Sequence, residues 1–339
     1  MVNVPPREFT RIRPEALRAF AHAVFRRVGM SDAHAGLMAR LLVASDLRGI
    51  WSHGTWQIPG YVGLLRNGQL NLHPRIRLLR ESETTAAFDG NGGLGYFAAW
   101  RAAQLAVRKA KRMGVSVVTT CNHGHYGAAG HYTRYAIEHG CLGLSCSAVR
   151  MVPTPGRHLF YAAGCPPVSV GVPAGKEAPI VPDMGLHIYG VREENMGALF
   201  QQIPDAFFKF IGLGAALHSL GITLTGGFQE RWAKSPYHQA ANQGTFLAVI
   251  DIERFMPLDE YTASIDRFVA AGRQLTPFPG FEPAELPGGP EWRREREYAR
   301  DGIPLQPRQL AALDEVADQV GVARVDPQNS RLAAGESPS

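Results

Sequence analysis

The chain has little cysteine. Cys121, Cys141, Cys146 and Cys165 are the only four in 339 residues, and no two share a Cys-x-x-Cys spacing. That excludes zinc ribbons and thioredoxin-type pairs and leaves reduced, mostly buried thiols as the expectation. Charge is sparse as well: 19% of residues are Asp, Glu, Lys or Arg, and only five of the 35 basic residues are lysine. The formal net charge of +5 is spread without a basic block or an interleaved aromatic ladder, so nucleic acid is not the expected partner. A mild positive field suits small anionic ligands better. No uninterrupted apolar run reaches about 18 residues, and the opening "MVNVPPREFTRIRPEALRAF" contains no signal-peptide core. The expectation is a cytoplasmic chain without membrane contact.

Apolar residues make up 45% of the chain, enough for a sizeable core in one large domain or two ordinary ones. The N-terminal quarter reads as helical. "RPEALRAFAHAVFRRVG" places Leu17, Phe20, Val24 and Phe25 on one face and stops at Gly29. Ser31 is a good N-cap for "DAHAGLMARLLVASDLRG", which buries Leu37, Leu41 and Leu42 and ends near Gly49; "WQIPGYVGLLRNG" is a short third helical stretch. From about residue 75 the hydrophobic period changes. "RIRLLRES", "TTAAFDG", "VSVVTTC", "CLGLSCSAV", "VSVGVPA" and "TFLAVIDIERF" are strand-like, while "YFAAWRAAQLAVRKAKRMG", "GAAGHYTRYAIEHG" and "DAFFKFIGLGAALHSLGITLTGG" are helical. "LDEYTASIDRFVAAGRQL" and "PRQLAALDEVADQVG" are two further helices, and "NSRLAAGESPS" has the composition of a disordered tail. No internal repeat is visible.

Three stretches carry candidate chemistry. "GNGGLG", residues 90–95, has the Gly-x-Gly-x-x-Gly spelling between a strand and a helix. The dinucleotide fingerprint also needs an acidic residue about 20 positions on, and Val115 to Thr120 offers none, so the glycines read more simply as a turn and a helix start. "CNHGHYGAAGH" supplies His123, His125 and His131, but no Asp or Glu joins them before Glu138; a metal there lacks anionic ligands, and no metal site is expected. His125 instead precedes a small-residue helix start, Tyr126-Gly127-Ala128-Ala129-Gly130, where open backbone N–H groups let a phosphate or a ring approach. In "DLRGIWSHGTWQIP", residues 46–59, Ser52 and His53 stand side by side in a turn between helices. Adjacent residues seldom face each other as a hydrolase nucleophile and base do. A histidine can, however, give and regain a proton near neutrality; a hydrogen-bonded helix-corner histidine is the competing reading.

Taken in order, "SDLRGIWSHG" with "IPGYV", then "DGNGGLG", "NHGHYGAAGHY", "PIVPDM", "KFIGLGAALHSLGITLTGG", "FLAVID" and "ELPGGPEWRREREYARDGIPL" resemble the malate/L-lactate dehydrogenase family. That family includes ureidoglycolate, sulfolactate and diketogulonate enzymes and cyclic-imine reductases. The resemblance covers most of residues 10–320 and implies a homodimer that uses NADH or NADPH without the usual dinucleotide fold, so that "GNGGLG" is no cofactor fingerprint. It implies that His53 is the acid/base histidine, that Ser52 orients or recharges it, and that His125 is a second catalytic histidine. Asp183, Lys209, Pro287 and Gly288 match cofactor contacts, and Tyr126, Gly127 and Cys165 fall in segments that face the cofactor.

The departures concern binding. Gln57 stands where the family usually has an arginine that grips the substrate carboxylate. An amide makes neutral hydrogen bonds worth roughly 1 kcal/mol, against about 1.5–3 for a charge-assisted pair, and Arg48 and Arg150 are the candidate replacement cations. The family's Gly-Thr-Asn-Pro reads "GCPP" at residues 164–167, which removes a hydroxyl, an amide and a backbone donor. "DMGLH" replaces Asp-Met-Ala-Thr-Ser, and the loop before the lysine helix shortens to "IYGVREENMGALFQQIP".

The resulting expectation is an α+β (mixed α/β) fold. It has a helical domain from residues 1–75 and 255–325, a central mixed-sheet domain from 76–254, and a disordered tail at 326–339. The active site would lie between the domains, with a dimer partner completing its wall. The expected activity is hydride transfer between NADH or NADPH and a small, anionic 2-oxo or 2-hydroxy acid, a cyclic imine or a related metabolite. The alternative is a protein that keeps the fold but has lost nicotinamide binding, serving as a binding protein or as a non-redox enzyme with histidine-based proton transfer.

Overall fold

The computed structural model of the chain describes residues 5–188, 191–192, 194–280 and 282–326; beyond Asp326, the expected tail lies outside them. The first elements are β1 (Thr10–Ile12), α1 (Pro14–Val28), α2 (Asp32–Leu47) and α3 (Ile58–Arg66). Next come β2 (Arg77–Glu81), β3 (Thr85–Asp89), α4 (Gly95–Met113), β4 (Val115–His123), α5 (Gly130–Ile137), β5 (Cys141–Val149), β6 (Pro167–Gly171) and β7 (Asp183–Gly185). They are followed by α6 (Met196–Gln202), α7 (Pro204–His218), α8 (Glu230–Ala233), β8 (Gln243–Asp251) and α9 (Leu258–Gly272), then α10 (Gly289–Asp301), β9 (Ile303–Leu305) and α11 (Pro307–Val320). This is the mixed α/β class that the periodicities indicate. The chain divides into a helical unit, up to His73 and from Pro277, and a sheet unit from Pro74 to Thr276.

In the helical unit, the i, i+3/i+4 apolar spacing of α1 does what it predicts: Leu17, Phe20, Val24 and Phe25 are all buried. The Ser31 hydroxyl accepts the His34 N–H at 3.3 Å and caps α2. Leu37 is only half-buried; Ala35, Met38, Ala39, Leu41 and Leu42 form the inner face. β1 pairs antiparallel with β9, with Arg11 opposite Pro304, and joins the early and late parts of the chain. α10 packs on α2. Its sequence, "GPEWRREREYARD", is too polar to show an apolar stripe, and it is a helix that periodicity misses.

In the sheet unit the strand order is β2-β3-β4-β8-β5-β6-β7. The β3–β4 pair, joined through α4, is parallel; the other neighbours are antiparallel. Side chains alternate across each strand, so β8 serves two cores. Leu247 and Val249 pack with an alanine ridge of α4, including Ala99, Ala102, Ala103 and Ala106. Phe246 faces the other way, onto Phe207, Phe210 and Leu217 of α7. The unit extends past residue 254, where the sequence suggested a boundary, to Thr276, because the Asp266 carboxylate in α9 accepts N–H bonds from Gly175, Lys176 and Glu177. The helical stretch Pro204–Thr223 is long and apolar enough to span a membrane, with a mean hydropathy of 1.4, but its Phe207, Phe210 and Leu217 face belongs to this core.

The alanines let α4 lie close to the sheet, and a larger side chain there has no space. Ala102→Leu is expected to lower stability by about 1–3 kcal/mol, read from urea unfolding.

Candidate active site

The Ser52–His53 pair sits in a tight 3-10 turn, Trp51–His53, directly after α2. The turn's curvature brings the neighbours together: Ser52 Oγ lies 2.9 Å from His53 Nδ1. Burial lowers the His53 pKa below its ordinary 6.5, which favours the neutral ring. Beneath the turn is Asp46, a fully buried carboxyl near the end of α2. Its Oδ2 accepts the Thr55 N–H at 2.9 Å and the Thr55 hydroxyl at 2.7 Å, and Gln309 of α11 donates to the same hydroxyl at 3.0 Å. Oδ1 has no hydrogen-bond partner among the described residues. Burial pushes the Asp46 carboxyl up to about 7, against the opposing effect of the Thr55 and Gln309 hydrogen bonds. Gly54, between His53 and Thr55, has to lack a side chain, since a Cβ there would fall 1.7 Å from Asp46 Oδ1.

The structure engages the candidate substrate cations elsewhere. Arg48 forms a two-pronged pair with Glu295 of α10, at 3.1 and 2.8 Å. Arg150, in the sheet unit, donates to the Gly227 and His238 carbonyls at 3.4 and 2.5 Å. Both guanidinium groups, the candidates for the missing carboxylate grip, thus have partners within their own units. Gln57 turns its amide N–H toward the Ser52 carbonyl at 2.6 Å and so braces the turn. Arg308, an exposed cation with no role assigned from the sequence, lies over the ring of Trp56, the residue before Gln57, 5.4 Å from its centre. Pro287 and Gly288 lead into α10, where the Glu291 carboxylate accepts the Gly288 N–H at 3.1 Å.

In the sheet unit, Asp183 at the start of β7 accepts the Gly130 N–H at 3.0 Å and caps α5. It thereby joins the loop that carries His125, Tyr126 and Gly127. The same contact engages the Gly130 N–H, one of the helix-start donors expected to face a ligand. Tyr126 is fully buried and stacks on Tyr132 at 5.2 Å, so its ring belongs to the core, and the Tyr96 ring fills the space beside Gly127. His125 is half-buried and His131 is buried near Tyr96. His123 is wholly buried, with Nδ1 donating to the Gly124 carbonyl at 2.7 Å and Nε2 facing the Thr120 hydroxyl at 2.7 Å. Burial brings its pKa down to about 4, so it is a neutral structural ring. Among the described residues no group of metal-ligating side chains is assembled.

"GNGGLG" is a turn held from within. The N–H groups of Gly90, Asn91, Gly92, Gly93 and Gly95 donate to Cys121, Asp89, Asn122, Gly90 and His125 oxygens, so they form no phosphate cradle. Lys209, exposed on α7, makes no hydrogen bond or ion pair with another described residue. Cys165 is exposed, with a left-handed φ of 50°. Lys209 is thus a side chain that could reach a phosphate, whereas the glycine loop has its N–H groups engaged. Cys121 and Cys146 are buried thiols raised by burial to about 12, too high for nucleophilic use.

The malate/L-lactate dehydrogenase family matches the chain over residues 12–189 and 194–314. The chain is 29% identical to malate dehydrogenase from Pyrococcus horikoshii, over 93% of this chain and 96% of that protein. It is 26% identical to L-sulfolactate dehydrogenase from Methanocaldococcus jannaschii, over 92% and 97%. The solved structure of the Pyrococcus horikoshii malate dehydrogenase superimposes with a TM-score of 0.82 at 30% identity, covering 95% of this chain and 98% of that one.

Asp46 and Gly54 generate two expectations. Gly54→Ala places a methyl group inside the Asp46 carboxyl and should destabilise by more than about 2 kcal/mol, or prevent folding. The folded Asp46 keeps its proton up to about pH 7, whereas the unfolded group, at its ordinary 3.8, has lost it. This group's contribution to stability is therefore complete at low pH and declines as pH rises through that window. Urea unfolding across pH should show wild type losing stability relative to Asp46→Asn between about pH 4 and 7, and a constant difference above.

Proposed function

The chain belongs to the malate/L-lactate dehydrogenase family, and from that premise we propose that it is a nicotinamide-dependent oxidoreductase of small 2-hydroxy and 2-oxo acids, cyclic imines or related metabolites, with His53 exchanging the proton. The observation that carries this reading is the 2.9 Å contact between Ser52 Oγ and His53 Nδ1 in a turn clamped by a buried carboxyl. When bound, the nicotinamide of NADH or NADPH supplies or accepts the hydride. His53 gives a proton to the substrate oxygen or nitrogen during reduction and takes it back during oxidation. Ser52 holds the imidazole through Nδ1, and Asp46 and Thr55 keep the turn from yielding as the charge changes. His125 is the second candidate acid/base, Lys209 and Asp183 are the cofactor candidates of the sheet unit, and Pro287 and Gly288 those of the helical unit. With Arg48 and Arg150 engaged, Arg308 over Trp56 is the cation we assign to an anionic substrate. We extend the proposal to a homodimer, as the family resemblance implies; α7 exposes the apolar side chains of Phe208 and Leu213, at 61% and 49% of their surface.

A non-redox reading, in which the fold is kept and nicotinamide binding is lost, is favoured by one observation: the N–H groups of Gly90, Asn91, Gly92, Gly93, Gly95 and Gly130 all have acceptors within the chain. Titration with NADH and with NADPH, followed by nicotinamide fluorescence, separates the two. Saturable binding is expected, and its absence for both would sink the redox reading. His53→Ala is expected to bind the cofactor as wild type does while losing about 10²- to 10⁴-fold in turnover of a 2-oxo acid. Because burial lowers the His53 pKa, and hydroxy-acid oxidation needs the neutral ring, kcat/KM for oxidation should rise with pH through a pKa below 6.5. A limb well above that value would assign the proton transfer to another group.

A further inference from the structure

The helical unit contains a cavity of about 270 Å³, formed by the segment leading into β1 and by one face of α10. We propose that this cavity is a binding site for a small organic monoanion, a carboxylate carried on an apolar body, separate from the Ser52–His53 turn. Arg293, Arg294, Glu297 and Tyr298 line it because residues four apart share a helix face; Arg11 joins them from β1.

Two of the three guanidinium groups are already matched. Arg11 meets Glu297 at 3.2 Å, and Arg293 meets Glu285 through two contacts, at 3.2 and 2.8 Å. Arg294 makes no hydrogen bond or ion pair with any described residue, although it is half-buried and its side chain rests on Gly49, where a Cβ would lie 2.9 Å from its Cδ. One unmatched positive charge in a partly dehydrated setting is balanced by one negative charge. The remaining wall is Phe9, the Tyr298 ring and three prolines, Pro5, Pro6 and Pro304. Proline has no N–H, so polar recognition falls to the guanidinium while the rest of the ligand meets ring and hydrocarbon. The volume lies just below the usual range for drug-sized ligands, about 300–1,000 Å³, and suits a single ring or a short branched chain.

The site touches the supports of the turn. Tyr298 stacks on Trp51, the residue before Ser52, at 5.9 Å; Arg294 lies on Gly49; and Glu295, between these α10 residues, holds Arg48. An occupant would be felt at the turn without entering it.

Phenylacetate is a suitable probe and phenylacetamide its neutral counterpart. Isothermal calorimetry needs neither cofactor nor turnover, so the result does not depend on the redox reading. The expected outcome is one-to-one binding of phenylacetate, with affinity about tenfold or more weaker for phenylacetamide and for Arg294→Gln. Binding should be partly recovered in Arg294→Lys, weakened in Phe9→Ala and unchanged in His53→Ala. The Phe9 side chain is 45% exposed, so its variant tests the site if Arg294→Gln does not fold. Equal affinity for acid and amide, equal binding by Arg294→Gln, loss of binding in His53→Ala, or no saturable binding into the millimolar range would each overturn the proposal.

Discussion

A carboxyl group buried under a turn is the constraint on which the rest of the candidate site depends. Asp46 has one oxygen satisfied twice by Thr55 and the other satisfied by nothing among the described residues. Such a group is expensive to bury in its charged form, and its presence in an otherwise apolar helix face indicates that it secures geometry. It binds the residue two past His53, it forbids a side chain at Gly54, and through Thr55 it takes in Gln309 from a helix more than 250 positions away. The backbone that follows His53 is thus held by α2, the turn and α11 together.

The sheet unit solves a different problem. Its central strands, β4, β8 and β5, are buried on both faces, and polar groups of the neighbouring loops are absorbed internally. Asp89 accepts from Asn91 and Asn122, Asp183 caps α5, and His123 is closed between threonines and a carbonyl. Lys209, exposed on α7, makes no hydrogen bond or ion pair with another described residue. The Gly-rich spelling "GNGGLG" reports close packing against Tyr237, Pro74 and His123 and not a phosphate cradle.

The legible parts of the sequence were those with local causes. The apolar stripe of α1, the Ser31 cap and the alternation of β8 each follow from spacing alone. So did the decision against a dinucleotide fingerprint, since the missing acidic residue is a matter of counting. α10 was not legible, because thirteen mostly polar residues carry no stripe. Arg48 and Arg150 looked like available cations because sequence shows charge but not partners; Glu295, Gly227 and His238 engage them from far along the chain. Nothing within "SDLRG" marks Asp46 as the clamp, because its partner Thr55, and Gln309 which holds Thr55, lie outside that stretch. A lone acid among apolar helix residues was the available signal.

By itself the sequence determined the mixed α/β class and the helical character of both ends, because these rest on periodicity and capping within a few residues. Only the tertiary structure decided which charges are open and which are occupied, which glycines face a ligand and which face a tyrosine, and where a carboxyl meets a turn. Those outcomes depend on contacts between residues tens to hundreds of positions apart, and hydrogen-bond satisfaction in a packed interior is a property of the whole neighbourhood, which no local pattern encodes.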